Sequence, residues 1–244
     1  MLKQAMEVMY RLFLPKRYKE VHELAYWKGR KRAEGALLND HYEYFYTRHF
    51  GLSSDFYSGK RVLDIGCGPR GSLEWAKMAS ERIGLDPLAT EYCKLGASNH
   101  KMRYVSGHSE SIPFPDGYFD VVCSFNSLDH VSNLELTIAE IIRVLGHGGL
   151  FLLLSDVNHR ATVCEPIEYS WSVVEAFQPQ LELLDDKHYE KKAEGMYQSI
   201  LKATPYYDQD TRRRYGVLSA KFRKLSANES ICATAGNAQS KKAD

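Results

Sequence analysis

Between Val62 and Gly71 the chain reads Val-Leu-Asp-Ile-Gly-Cys-Gly-Pro-Arg-Gly, a short apolar run that ends in a glycine-rich turn. Gly66, Gly68 and Gly71 allow the backbone to pass close to a ligand, and a helix starting at Ser72 would aim free amide hydrogens at it. Such a turn is a nucleotide cradle. The Gly66-x-Gly68-x-x-Gly71 spacing by itself also fits the dinucleotide-binding fingerprint. Asp64 separates the two readings. A carboxylate two residues before the first glycine repels a pyrophosphate, but attracts a ligand whose nearby part is cationic.

Three further stretches follow in order. Ile83-Gly84-Leu85-Asp86-Pro87 places an acid at the end of a second apolar run, where one carboxylate can accept from both hydroxyls of a ribose. Both nucleotide classes use that contact, and an acid there also serves as a helix cap. Ser106 to Val122 carries His108-Ser109-Glu110, then Ile112-Pro113-Phe114-Pro115, then Phe119-Asp120-Val121-Val122. Phe125-Asn126-Ser127-Leu128-Asp129-His130-Val131 follows, at the strand end where open α/β sheets place their crevice. There Asn126 is a candidate for orienting a nucleophile and His130 a candidate base, with packing and capping of the next helix as the competing role for His130.

Taken together, these residues resemble the motifs of class I, Rossmann-like S-adenosylmethionine-dependent methyltransferases of the small-molecule type (methyltransferase type 11 domain), over roughly Arg61 to Leu154. The resemblance implies S-adenosyl-L-methionine as cofactor, whose ammonium and sulfonium suit Asp64. It implies cofactor contacts from Asp64, Gly66, Cys67, Gly68, Asp86, Pro87, His108, Ser109, Glu110, Phe125 and Asn126; the candidate catalytic roles of Asn126 and His130 rest on their own chemistry, since relatives with a histidine at the place of His130 use it to pack and cap the following helix. At the position where the family usually carries the acid that meets the adenine amino group, this chain has His108. Two alternatives stay open: an NAD(P)-binding Rossmann oxidoreductase using the same glycine turn, and a non-catalytic S-adenosylmethionine-binding protein. Tyr44, Tyr46 and His49 before the motifs, and Asp156, His159, Glu165 and Tyr169 after them, are candidates for the acceptor pocket. His159 and Glu165 are also candidate bases.

The elements that must position these residues form an α/β, doubly wound pattern. Strands are predicted at Arg61–Ile65, Arg82–Leu85, Arg103–Val105, Phe119–Ser124 and Leu150–Ser155, with helices from Ser72, over Leu88–Leu95 and over Asn133–Leu145. Gly146 and Gly148-Gly149 are expected to stop the last of these helices and start the next strand. Trp171–Phe177 reads as a helix, and Gln180–Glu190 with Gly195–Ala203 as an extended pair that closes the sheet antiparallel. The implied architecture is a seven-stranded, mostly parallel sheet with an antiparallel closing strand. Residues 1–58 are expected to form an aromatic-rich helical cap, 59–205 the cofactor-binding core, and 206–244 a C-terminal helix and disordered tail.

Composition narrows the function classes. The 244 residues, 44% hydrophobic and 26% charged, fit one α/β domain with attached helices. Lys plus Arg (32) balance Asp plus Glu (31), so no strong field draws the chain to nucleic acid, and a small-molecule methyl acceptor is the expected partner. Cys67, Cys93, Cys123, Cys164 and Cys232 lack the paired spacing of a zinc site or disulfide framework; no metal is expected, and reduced thiols point to the cytoplasm. The longest apolar run, Leu150 to Leu154, has the length of a buried strand and not of a membrane span.

Overall fold

The alternation of short apolar runs with amphipathic stretches is realised as a seven-stranded sheet in the computed structural model, which describes residues 15–39, 42–210, 214–226 and 229. The strands are β1 (Arg61–Ile65), β2 (Glu81–Asp86), β3 (Arg103–Ser106), β4 (Phe119–Phe125), β5 (Leu145–Val157), β6 (Leu181–Glu190) and β7 (Gly216–Lys224). Their order is β3-β2-β1-β4-β5-β7-β6. β7 alone runs antiparallel, against both β5 and β6; β1, β2, β3, β4 and β5 pair in parallel. The order reverses between β1 and β4, which puts a crevice at the carboxyl ends of those two strands.

Both faces of the sheet are covered, as a parallel sheet requires. Leu63, Ile65, Val122, Phe151 and Leu153 face one core with Ile138, Ile141, Phe177 and Phe222. Val62, Val121, Cys123, Leu152 and Leu154 face the other with Phe45, Tyr46, Phe50 and Tyr57. Much of the predicted aromatic cap is therefore core. α1 (Pro15–Glu34) and the single turn α2 (Glu43–Tyr46) supply its helices. α3 (Ala89–Lys94) and α4 (Leu134–Val144) connect strands. Asn133 caps α4, its Oδ1 accepting from Leu136 N at 2.9 Å, and such a cap contributes about 1 kcal/mol.

Three expectations are corrected. No helix begins at Ser72: the chain from Ser72 to Ser80 is a series of turns. A helix rising about 1.5 Å per residue needs about 11 residues to run back along a five-residue strand, and after the glycine turn only the nine residues from Ser72 to Ser80 remain before β2. Gly195–Ala203 is not extended but forms α5 (Met196–Lys202), which buries Met196, Ser199 and Ile200 at helical spacing. The closing antiparallel strand is β7 instead, in the segment expected to be a C-terminal helix. α4 ends at Val144 and β5 begins at Leu145, so Gly146, Gly148 and Gly149 lie in the opening residues of that strand, as expected. Trp171–Phe177 is helical, as a 3-10 turn. The expectation of a disordered tail falls, apart from Glu229, outside the described residues. No helix among those described is long and apolar enough to cross a membrane.

Candidate functional site

Asp64 sits near the end of β1, paired in register with Gly84 of β2 and Cys123 of β4. It is 2% exposed. Its Oδ2 accepts from Tyr46 Oη at 2.9 Å and from Ser72 Oγ. Burial pushes its carboxyl up to about 7, against those two hydrogen bonds, which lower it. Asp86, at the end of β2, accepts from Leu88 N at 2.9 Å and Gly68 N at 3.2 Å, and burial lifts it to about 7 as well. Two buried carboxyls thus end adjacent strands, and neither makes an ion pair among the described residues.

The glycine turn between them is held by close approach. Gly66, Gly68 and Gly71 all have positive φ. A Cβ on Gly66 would stand 2.3 Å from Ser127 Cβ, so only glycine lets β1 pass this near the turn after β4. Ser127 locks that turn, its Oγ donating to Ile65 O at 2.8 Å. Cys67 is buried against Gly84, and its thiol is pushed well up by burial, so its part in the turn is played by backbone. Phe125 stacks against Tyr46 with ring centroids 4.4 Å apart. Asn126 follows in the left-handed region at φ 53, with its side chain exposed at the crevice end of β4.

Helix α1 crosses this end of the sheet. Trp27 lies 3.3 Å from where a Cβ of Gly68 would be. Tyr92 Oη donates to Glu23 at 3.0 Å, and Arg70 pairs with Glu34 at 2.7 Å. Lys19 donates to the carbonyl of His130. Lys19, Glu23 and Trp27 are neighbours of the glycine turn that sequence reasoning missed. Nothing in the spacing of a helix far upstream links it to that turn, and Trp27 stood out only as one of several aromatics.

The remaining candidates divide. His108 is half-buried, and its carbonyl accepts from Ser111 N at 3.1 Å. Ser109 Oγ is bound to Thr137 Oγ1 at 3.0 Å, and Glu110 Oε1 accepts from Ser132 N at 2.6 Å and Asn133 N at 3.0 Å. Both side chains are spent on fastening the start of α4. Burial raises the Glu110 carboxyl, but the backbone donors outweigh it and hold the group below its usual range. Pro87 is exposed beyond β2. His49 is buried against Ser219 at 2.7 Å, and burial lowers its imidazole to about 4; it belongs to the core beside β7. Tyr44 is half-buried near it.

Past β4 the chain gathers a second polar group. Asp129 is 1% exposed, and His159 Nε2 stands 3.4 Å from its Oδ2. That carboxylate lifts His159 to about 9, against burial. His130 Nε2 lies 3.9 Å from Asp129 Oδ1 and 4.0 Å from Glu165 Oε1. Asp156 pairs with Lys191, and Tyr169 Oη meets Ser155 Oγ at 2.5 Å. His130, His159 and Glu165, separate in sequence, are therefore one cluster, with Asp129 at its centre. Asp129 was visible in the sequence as a residue of the fourth motif but not as its hub.

A sheet in this order, with a buried acid under a glycine turn at the switch point, defines a class I, Rossmann-like nucleotide fold. Residues 63–153 match the methyltransferase domain family. The sterol 24-C-methyltransferase of Aspergillus fumigatus is 32% identical over 118 residues, 45% of this chain and 30% of that protein. The fatty-acid O-methyltransferase of Mycolicibacterium smegmatis is 26% identical over 183 residues, 70% of this chain and 64% of that protein. The chain thus spans less than two thirds of the length of either curated relative. The crystal structure of YcgJ protein from Bacillus subtilis has the same fold, with a TM-score of 0.52 at 20% identity over 74% of this chain and 99% of that one.

Proposed function

We propose that this chain transfers a methyl group from S-adenosyl-L-methionine to a small-molecule acceptor. The observation that carries the reading is Asp64, a carboxyl buried beneath the glycine turn and raised to about 7, with no cation beside it among the described residues. A cationic amino-acid moiety fits that place and a diphosphate does not, which also disfavours the NAD(P) alternative. When bound, the cofactor supplies an electrophilic methyl on a good leaving group, so the protein's task is mainly positioning. Asp64 holds the ammonium end through charge, Gly66, Cys67 and Gly68 cradle it with backbone, and Asp86 takes the ribose. Pro87 and His108 border the nucleoside side, where an unprotonated imidazole nitrogen accepts from the adenine amino group. Phe125 and Asn126 close the methionine side.

Asn126 and His130 stand next to the acceptor in this reading. Relatives named for sterol, fatty-acid and ajmaline methylation share apolar or ring-bearing acceptors, and Tyr44 and Tyr169 suit that class. A net charge of +1 favours a small molecule over nucleic acid. Free thiols at Cys67, Cys93, Cys123 and Cys164 suit a cytosolic setting. Titration calorimetry with S-adenosylhomocysteine tests the proposal. One-to-one binding, weakened about tenfold or more by Asp64→Asn, is expected. Stabilisation by NAD, with none by S-adenosylhomocysteine, would reverse it.

A further inference from the structure

Asp129 and Glu165 each use one carboxylate oxygen within the protein and leave the other turned toward His130. Asp129 Oδ2 faces His159 Nε2 at 3.4 Å, while its buried Oδ1 has no hydrogen-bond partner. Glu165 Oε2 accepts from the Thr162 hydroxyl at 3.3 Å, and its Oε1 points the other way, 4.0 Å from His130 Nε2. That buried ring nitrogen has no hydrogen-bond partner either. The three ligand atoms lie within 4.8 Å of one another. A point equidistant from atoms so spaced is about 2.5 Å from each, about 0.3–0.5 Å longer than zinc–ligand bonds, so the side chains must draw in by that much around such an ion.

We propose that Asp129, His130 and Glu165 form a site for one divalent cation on the acceptor side of the crevice. Two features argue against a merely structural cluster. An ordinary buried polar network satisfies its inner atoms, whereas here Oδ1 of a residue 1% exposed and Nε2 of its neighbour face each other at 3.9 Å, too far for a hydrogen bond. The loop that brings Glu165 is also fixed: Ile167 N donates to Asp129 O at 3.2 Å, and Glu165 N donates to Thr162 Oγ1 at 2.9 Å. His159 orients the Asp129 carboxylate from behind, as an outer partner does for a metal ligand.

One imidazole with two carboxylates suits a first-row divalent ion such as Mn2+ or Zn2+ better than Ca2+, which prefers oxygen alone. In this arrangement His130 holds the cation and is not itself the base. A cation there suits an acceptor that presents a hydroxyl or carboxylate oxygen, a refinement that rests on the methyltransferase reading; the site itself does not.

The test uses the full chain stripped with EDTA, titrated with Mn2+ and followed by electron paramagnetic resonance, with Zn2+ in a competition arm. One Mn2+ per chain is expected, displaced by Zn2+. Glu165→Gln, at a half-exposed loop position, and His130→Gln should each weaken uptake about tenfold or more, with unchanged circular dichroism. Absence of stoichiometric uptake of either ion, or an affinity unmoved in Glu165→Gln, would overturn the site. S-adenosylhomocysteine calorimetry on the same stripped protein reads the cofactor crevice separately: heat retained without Mn2+ uptake sinks the metal site alone, and uptake without heat sinks the cofactor reading alone.

Discussion

Tyr46 Oη and Ser72 Oγ both donate to the same oxygen of Asp64, the first at 2.9 Å, and so fix the carboxylate at the base of the glycine turn. Tyr46 comes from α2 and Ser72 from the turns after β1, so two separate segments orient one acid. The group is nonetheless held near 7 by burial, well above an ordinary aspartate. Its charge is available only when the pH, or a bound cation, draws the proton off.

Affinity for S-adenosylhomocysteine is therefore expected to rise with pH and to level off above about 8, because the ligand's ammonium favours ionised Asp64. Asp64→Asn should flatten the curve, leaving the part due to Asp86. Calorimetry across pH 5.5 to 8.5 checks this, and a wild-type curve flat across that range would remove the role given to Asp64.

Stability should move the opposite way. The folded pKa of Asp64 lies above its unfolded value, so the native state holds the proton more tightly, and the stabilisation is complete below the unfolded pKa. It is lost as pH rises from about 3.8 through about 7. At pH 8 without ligand, Asp64→Asn should melt higher than the wild type by about 2–4 °C per kcal/mol recovered, whereas at pH 5 the two should converge. Differential scanning fluorimetry at the two pH values separates these outcomes.

Tyr46→Phe removes one of the two donors and leaves the aromatic packing on Phe125 and Trp75 in place. A loss of about 1 kcal/mol of stability is expected from the missing hydrogen bond. Because that bond favours the ionised acid, the midpoint of the affinity curve should also shift to higher pH. A purely structural Tyr46 would change the melting temperature and leave the midpoint where it was.

The parts of this site that were legible in the sequence are those whose chemistry is local. Asp64, Gly66, Gly68 and Asp86 are marked by short apolar runs that end in glycine or acid, and the strands β1, β2, β4 and β5 were found by the same runs. β7 escaped because Lys221 and Arg223 interrupt Ala220 and Phe222, so a strand buried between β5 and β6 carries charge on alternate residues. The segment 195–203 misled in the other direction: Met196 and Ile200 are a helix turn apart, but adjacent Tyr197 and Leu201 blur the period. The turns after Gly71 are hidden by the motif itself, whose order promises a helix that the nine residues left before β2 form only as turns. Trp27 over Gly68, and the meeting of Asp129 with His159 and Glu165, depend on contacts between distant segments and have no local mark.

Trp27 gives a test of whether α1 takes part in binding. It packs edge-on against Tyr92, with ring centroids 6.4 Å apart, and Arg70 stacks over it at 5.5 Å. Trp27→Ala should uncover Gly68 and weaken S-adenosylhomocysteine binding about tenfold, chiefly through faster release. Stopped-flow displacement would show the change in the dissociation rate. An unchanged rate would mean that α1 covers the sheet end without touching the ligand.

Glu110 separates two roles that sequence similarity merges. The motif suggests a cofactor contact, whereas its Oε1 accepts from Ser132 N and Asn133 N and so anchors the entry to α4. Its pKa is held below the usual value, so its contribution is present above the unfolded pKa and lost as pH falls through the lower folded one. Glu110→Ala should therefore cost about 1–3 kcal/mol at pH 7, since two backbone donors lose a charged acceptor, and the cost should shrink in acid as the group takes up its proton. Affinity for S-adenosylhomocysteine, measured well below the melting temperature, should stay within about twofold of wild type. A tenfold loss of affinity with no loss of stability would return Glu110 to the cofactor site and leave the start of α4 to Asn133 alone.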